Sequence, residues 1–144
     1  MSENENKQLA RRFYEEYALS DAAKVRYVYE KYLAPDAVMH AGRAGDLTRE
    51  KTIQFDTTLV PVFPDLKLTV DDMVAEGDKV VTRTTAQATQ KVTWMGKSAS
   101  GKKFVIKNVV IWEITAEKAT EVWSFWDSLA MMTQLGVIPA APKR

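Results

Sequence analysis

The chain has 144 residues, 46% of them hydrophobic, so residues 1–144 suit a single domain with a buried core. Lys and Arg number 20 against 19 Asp and Glu, and the basic residues are scattered, which leaves no electrostatic footprint for nucleic acid. The absence of cysteine excludes disulfides and thiolate chemistry, the single histidine excludes the usual zinc clusters, and no apolar run approaches the roughly 18 residues of a membrane span. No metal or cofactor is expected.

The opening Met-Ser-Glu-Asn-Glu-Asn-Lys has no apolar run of the export type, so a cytoplasmic location is expected. Leu9, Phe13 and Tyr17 recur every four residues between Arg11, Arg12, Glu15 and Glu16, which predicts an amphipathic helix over residues 4–18. Ser20-Asp21 caps a second helix with the stripe Val25, Val28, Tyr29, Tyr32 and Leu33, and Pro35 stops it. Asp36 to His40 reads as a short strand. After a turn over Gly42 to Asp46, a third helix begins near Thr48, carries Ile53, Phe55, Leu59 and Val60, and ends at Pro61 and Pro64.

From Leu66 the period changes to two. Leu66, Leu68 and Val70 alternate with Lys67, Thr69 and Asp71, and Glu76-Gly-Asp-Lys79 makes a hairpin turn into a strand over residues 80–94. Gly96 to Lys103 is a second turn, Phe104 to Ile114 a third strand, Thr115 to Lys118 a third turn, and Ala119 to Trp126 the fourth strand. A terminal helix carries Leu129, Met132 and Leu135. Helices first and a meander afterwards predict an α+β domain, with helices on one face of a curved antiparallel sheet. Gly96-Lys97-Ser98 is a turn rather than a phosphate loop, since no glycine stands five residues earlier and no helix follows. Asp71 and Asp72 face opposite sides of a strand and do not chelate together.

The terminal stretch Glu121-Val-Trp-Ser-Phe-Trp-Asp127, continuing to Gln134-Leu-Gly136, is similar to the end of the SnoaL-like polyketide cyclases of the nuclear transport factor 2-like superfamily. That pattern often runs Glu-His-Trp-Asp-x-Trp-Asp-x-Leu-Gly-x-x-x-Gln-Leu-Gly. The likeness covers nearly the whole chain, through Arg11-Arg-Phe-Tyr-Glu15, Leu33-Ala-Pro-Asp36 leading to His40, Phe63-Pro-Asp-Leu66 and Val74-Ala-Glu-Gly-Asp-Lys-Val-Val81. It implies a cone-shaped sheet covered by N-terminal helices and enclosing an apolar pocket. It also implies that Ser124 stands where the cyclases carry their acid/base aspartate, and Val110 where they carry a catalytic histidine.

If Ser124 takes that position, strand parity turns Val122, Ser124 and Trp126 to the pocket and Trp123 and Phe125 outward. Asn108 and Trp112 share the face of Val110, so Asn108 can donate to a ligand oxygen or satisfy a backbone group. The resemblance places His40 at the pocket mouth, as a base or as a hydrogen-bonded structural histidine. Asp127 is either a helix cap or an acid/base. Tyr17 steadies an enolate or fills core space, and Phe55, Trp94, Trp112 and Trp126 line the pocket.

Two functions stay open. One is a cofactor-independent enzyme of cyclase, isomerase or lyase type, moving a proton on an apolar carbonyl or polyketide-like substrate. The other is a non-catalytic binding or accessory protein for a hydrophobic small molecule. The outward Trp123 and Phe125 predict a homodimer through the outer sheet face.

Overall fold

A computed structural model describes residues 2–42, 45–99 and 101–139. Parts of two expected turns, residues 43–44 and 100, lie outside the described residues. The first helix, α1 (Glu3–Glu16), opens on Ser2, whose hydroxyl accepts from Glu5 N at 3.0 Å, and buries Asn6, Leu9, Ala10, Phe13 and Tyr14. The helix ends at Glu16, two residues short of the expected residue 18, with Tyr17 as its C-cap. Asp21 caps α2 (Ala22–Tyr32), which buries Val25, Val28, Tyr29 and Tyr32. Leu33, expected on that helical stripe, instead opens β1 (Leu33–His40). The physical reason is Pro35, which drives the preceding backbone to extended conformations.

Thr48 caps α3 (Arg49–Leu59), whose buried residues are Thr52 and Ile53. Before it lies β2 (Asp46–Thr48), a strand not expected from the sequence, where Gly42 to Asp46 lead directly to a helix beginning near Thr48. Three residues are too few to display a period, and their strand character comes from pairing with β1. Then follow β3 (Lys67–Glu76), β4 (Lys79–Thr89), β5 (Lys103–Thr115), β6 (Lys118–Trp126) and α4 (Ser128–Gln134). The expected returning strand over 80–94 ends at Thr89, because the buried Gln90 turns its amide onto the loop, donating to Val92 O at 3.0 Å and Lys97 O at 3.2 Å. In α4 the buried residue is Met131, followed one turn later by the buried C-cap Leu135, while Leu129 is exposed.

The strands form one curved, unclosed sheet in the order β2-β1-β6-β5-β4-β3, with β1 and β6 parallel and the other pairs antiparallel. Val80, Thr82, Thr84, Ala86 and Ala88 of β4, and Phe104, Ile106, Asn108, Val110, Trp112 and Ile114 of β5, are all buried and define the inner face. The helices lie over this face. Phe13 of α1 meets the Trp112 ring edge-on, with centroids 4.9 Å apart, and the chain leaving α3 sets Phe63 5.3 Å from Phe104 at the other end of β5.

Candidate functional site

The inner face carries polar groups among its apolar neighbours, and their hydrogen bonds sort them into two kinds. Thr82 is a closed node. Its Oγ1 accepts from Trp112 Nε1 at 3.2 Å, shares a 2.7 Å bond with Tyr14 Oη, and donates to Val110 O at 3.3 Å. Burial lifts the Tyr14 phenol to about 12. Trp112, expected as pocket lining, is thereby a satisfied core residue.

Asn108 is open. It is 2% exposed, its Oδ1 accepts from Asp127 N at 3.3 Å, and its Nδ2 has no partner among the described residues. A buried donor without an acceptor costs about 1–3 kcal/mol, and such groups are rare enough to require a reason. The pairing of β5 with β6 sets Val110 opposite Ser124 and Asn108 opposite Trp126, so the expected parity of both strands holds. Val122 is fully buried and Ser124 half-buried, while Trp126 is partly exposed at the end of the strand.

On the helical side a second cluster forms around Asp56 of α3. Tyr17 at the end of α1 and Tyr29 of α2 both donate to Asp56 Oδ2, at 2.6 and 2.5 Å. Burial raises the Asp56 carboxyl above its ordinary range, and the two phenol donors pull the other way without cancelling that effect. Burial, and then the neighbouring carboxylate, push both phenols well above their usual 10, so they remain protonated donors. Phe13 joins this cluster to the sheet, stacking on Tyr17 at 5.5 Å while touching Trp112. From the sequence Tyr29 is expected on the apolar stripe of α2, and Asp56 carries no expectation. The signal was present: Asp56 stands three and four residues after the buried Ile53 and Thr52, on the same side of α3.

His40 requires a correction. Parallel pairing sets Met39 beside the buried Val122 and His40 beside Trp123, so the imidazole lies on the outer face rather than with Ser124 and Asn108. Its Nδ1 bonds Asp46 Oδ1 at 2.6 Å, its Nε2 bonds Glu121 Oε1 at 2.7 Å, and its ring stacks on Trp123 at 5.2 Å. Glu121, then Asp46, hold its pKa above the ordinary value. The expectation followed the position after Pro35-Asp36, and the side on which an even-numbered residue falls depends on a register shift between Leu33 and Val38 that periodicity does not show.

Asp127 caps α4, its Oδ1 accepting from Ala130 N at 3.1 Å. Trp94 sits in the loop after β4, 5.3 Å from Phe63, at the edge of the core. Phe55 projects from α3 largely exposed. The structure thus groups Asn108, Ser124 and Trp126 on adjacent strands and Tyr17 with Asp56, and it separates His40 and Trp94 from both.

The family model of the SnoaL-like polyketide cyclases matches residues 8–135. No curated protein matches the chain in sequence. Among solved structures it is similar to TsrD from Streptomyces laurentii, at 27% identity and a TM-score of 0.77 over 96% of this chain and 99% of that one. IdmH from Streptomyces antibioticus, a proposed polyketide cyclase, is 26% identical with a TM-score of 0.79 over 91% and 98% of the two chains. AclR from Streptomyces galilaeus, a proposed hydroxylase, shares the fold at 24% identity and a TM-score of 0.85 over 99% and 87%.

Proposed function

The chain belongs to the SnoaL-like polyketide cyclase family, and from that premise we propose that it takes an apolar carbonyl or polyketide-like molecule between its helices and inner sheet face and moves a proton on it without a cofactor. The observation that carries this reading is the buried Nδ2 of Asn108, which has no partner among the described residues. A carbonyl oxygen satisfies such a donor, and an enolate oxygen, with more charge, satisfies it better, so the bond strengthens where charge develops.

The test is deuterium incorporation at the α-carbon of 2-tetralone in D2O, followed by NMR, a reaction that needs only binding and proton transfer. Exchange above the buffer rate is expected, and Asn108→Leu should reduce it roughly 100- to 1,000-fold, in the range of a lost oxyanion donor. Binding of 2-tetralone with no exchange would move the protein to the second reading, a non-catalytic carrier of hydrophobic molecules. That reading is favoured by Ser124 and Val110, which replace the acid/base pair of the resembled cyclases.

We also propose a homodimer through the outer sheet face. Val109 and Phe125 are cross-strand neighbours there, 38% and 56% exposed, beside the half-buried Trp123. Light scattering at micromolar concentration is expected to give twice the chain mass, and Phe125→Lys to give the monomer; a monomeric wild type rejects it.

A further inference from the structure

We propose that Asp56 is the proton-carrying group of this protein, its Oδ1 taking the α-proton of a bound carbonyl compound while Tyr17 and Tyr29 hold Oδ2; this rests on the proton-transfer reading above. The two phenols arrive from different helices yet bond the same oxygen, and among the described residues no donor reaches Oδ1. A purely structural tie of α1, α2 and α3 accounts for Oδ2 only. It also gives no reason for an ionisable group, since an amide oxygen accepts the same two bonds without the penalty of ionising in an apolar shell.

The surroundings suit a base. The groups that act on Asp56 are the two phenols, facing it from α1 and α2, and both stay protonated. A carboxylate whose pKa is raised is, in its ionised form, a better proton acceptor than an ordinary one. In the step, the C–H bond next to the carbonyl breaks, its electron pair becomes the enolate, and the proton passes to Oδ1. When the Oδ1 proton is first replaced by a solvent deuteron, its return to the same carbon gives exchange; delivery to another atom gives isomerisation. No oxidant or second reactant enters.

Position supports the assignment. Asp56 connects through Tyr17 and Phe13 to Trp112, and Asn108 stands four residues, about 13 Å, along β5 from Trp112. Val110, with Ser124 opposite it on β6, lies between Trp112 and Asn108 along the sheet. The other two ionisable candidates are engaged elsewhere, His40 on the outer face and Asp127 at the α4 cap.

The experiment follows 2-tetralone exchange against pH for wild type, Asp56→Asn, Tyr17→Phe and Tyr29→Phe, with a melting curve and a 2-tetralone affinity for each. Asp56→Asn is expected to lose at least about 100-fold in rate with affinity within a few-fold and no loss of melting temperature. Tyr17→Phe is expected to move the pH midpoint of exchange upward, because it removes a donor that favours the ionised carboxyl. A mere tie between helices leaves that midpoint unmoved. If wild type exchanges and Asp56→Asn retains its rate, Asp56 is not the base and the proton-transfer reading survives. If wild type binds 2-tetralone and never exchanges it, both are overturned. Should Asp56→Asn not fold, an unshifted midpoint in Tyr17→Phe overturns the assignment alone.

Discussion

His40 and Asp56 are each gripped by two partners, and what separates them is how much of each group the grip consumes. Both ring nitrogens of His40 are engaged, one by Asp46 and one by Glu121, in a cluster that water reaches from the outer face. Among the described residues only one oxygen of Asp56 is engaged, in a part-buried shell closed by Tyr17, Tyr29 and Phe13. A group with every polar atom bonded holds structure; one with a polar atom left over has somewhere to put a proton. Residue type alone favours the histidine, since its ordinary pKa lies nearest neutrality, yet the geometry favours the carboxylate.

The largest effect expected from this contrast is on rate. His40→Ala is expected to keep 2-tetralone exchange within a few-fold of wild type, where Asp56→Asn loses at least about 100-fold. The measurement is the initial exchange rate at saturating 2-tetralone. A His40→Ala protein as dead as Asp56→Asn, with its melting temperature intact, would reverse the comparison and return the proton to the histidine.

Why the sequence led to one of these residues and not the other is a matter of what periodicity records. Strand parity was legible for β5 and β6 because both are long and regular where they cross at Val110 and Ser124, and the pairing of those two residues follows. It was not legible for β1, where an irregularity between Leu33 and Val38 sets the face of His40. Helix spacing placed the apolar stripes of α1 and α2 correctly, with Leu33 lost to the influence of Pro35. It gave less for α3, whose inward side is polar, Thr52 and Asp56 around Ile53, so an apolar pattern underweights it. Hydrogen bonding between three helices is a tertiary fact, and no local pattern announces that Tyr17, Tyr29 and Asp56 meet.

The next effect is on stability against pH, and the two clusters separate by window. Burial raises the Asp56 carboxyl, so the folded protein holds its proton longer than the unfolded chain does. Its contribution is present below the unfolded value of about 3.9 and lost as pH rises through the folded value. Hydrogen bonds to Glu121 and Asp46 raise His40, so its contribution is present below about 6.5 and lost as pH rises through its own folded value. Both losses run in the same direction but begin at different pH. Asp56→Asn is expected to flatten the loss that begins near pH 4, and His40→Ala the one that begins above about 6.5, in urea midpoints measured from pH 4 to 9. Identical slopes for wild type and Asp56→Asn between pH 4 and 6 would show that the carboxyl is not burdened by its surroundings.

The smallest effect belongs to a third carboxylate, Asp127, which sharpens the comparison because it is engaged through one oxygen as Asp56 is, but in the open. Its Oδ1 accepts from Ala130 N at the start of α4, which satisfies one of the free donors that every helix exposes at its first turn. Asp127→Ala removes that bond and is expected to lower stability by about 1 kcal/mol, read from urea unfolding. It leaves untouched the backbone N–H of residue 127 that holds Asn108 Oδ1, so the candidate oxyanion donor keeps its alignment and exchange is expected to stay within a few-fold of wild type. Stability kept with rate lost is the opposite outcome, and it would make an exposed cap, rather than the shielded carboxyl between two tyrosines, the group that carries the proton.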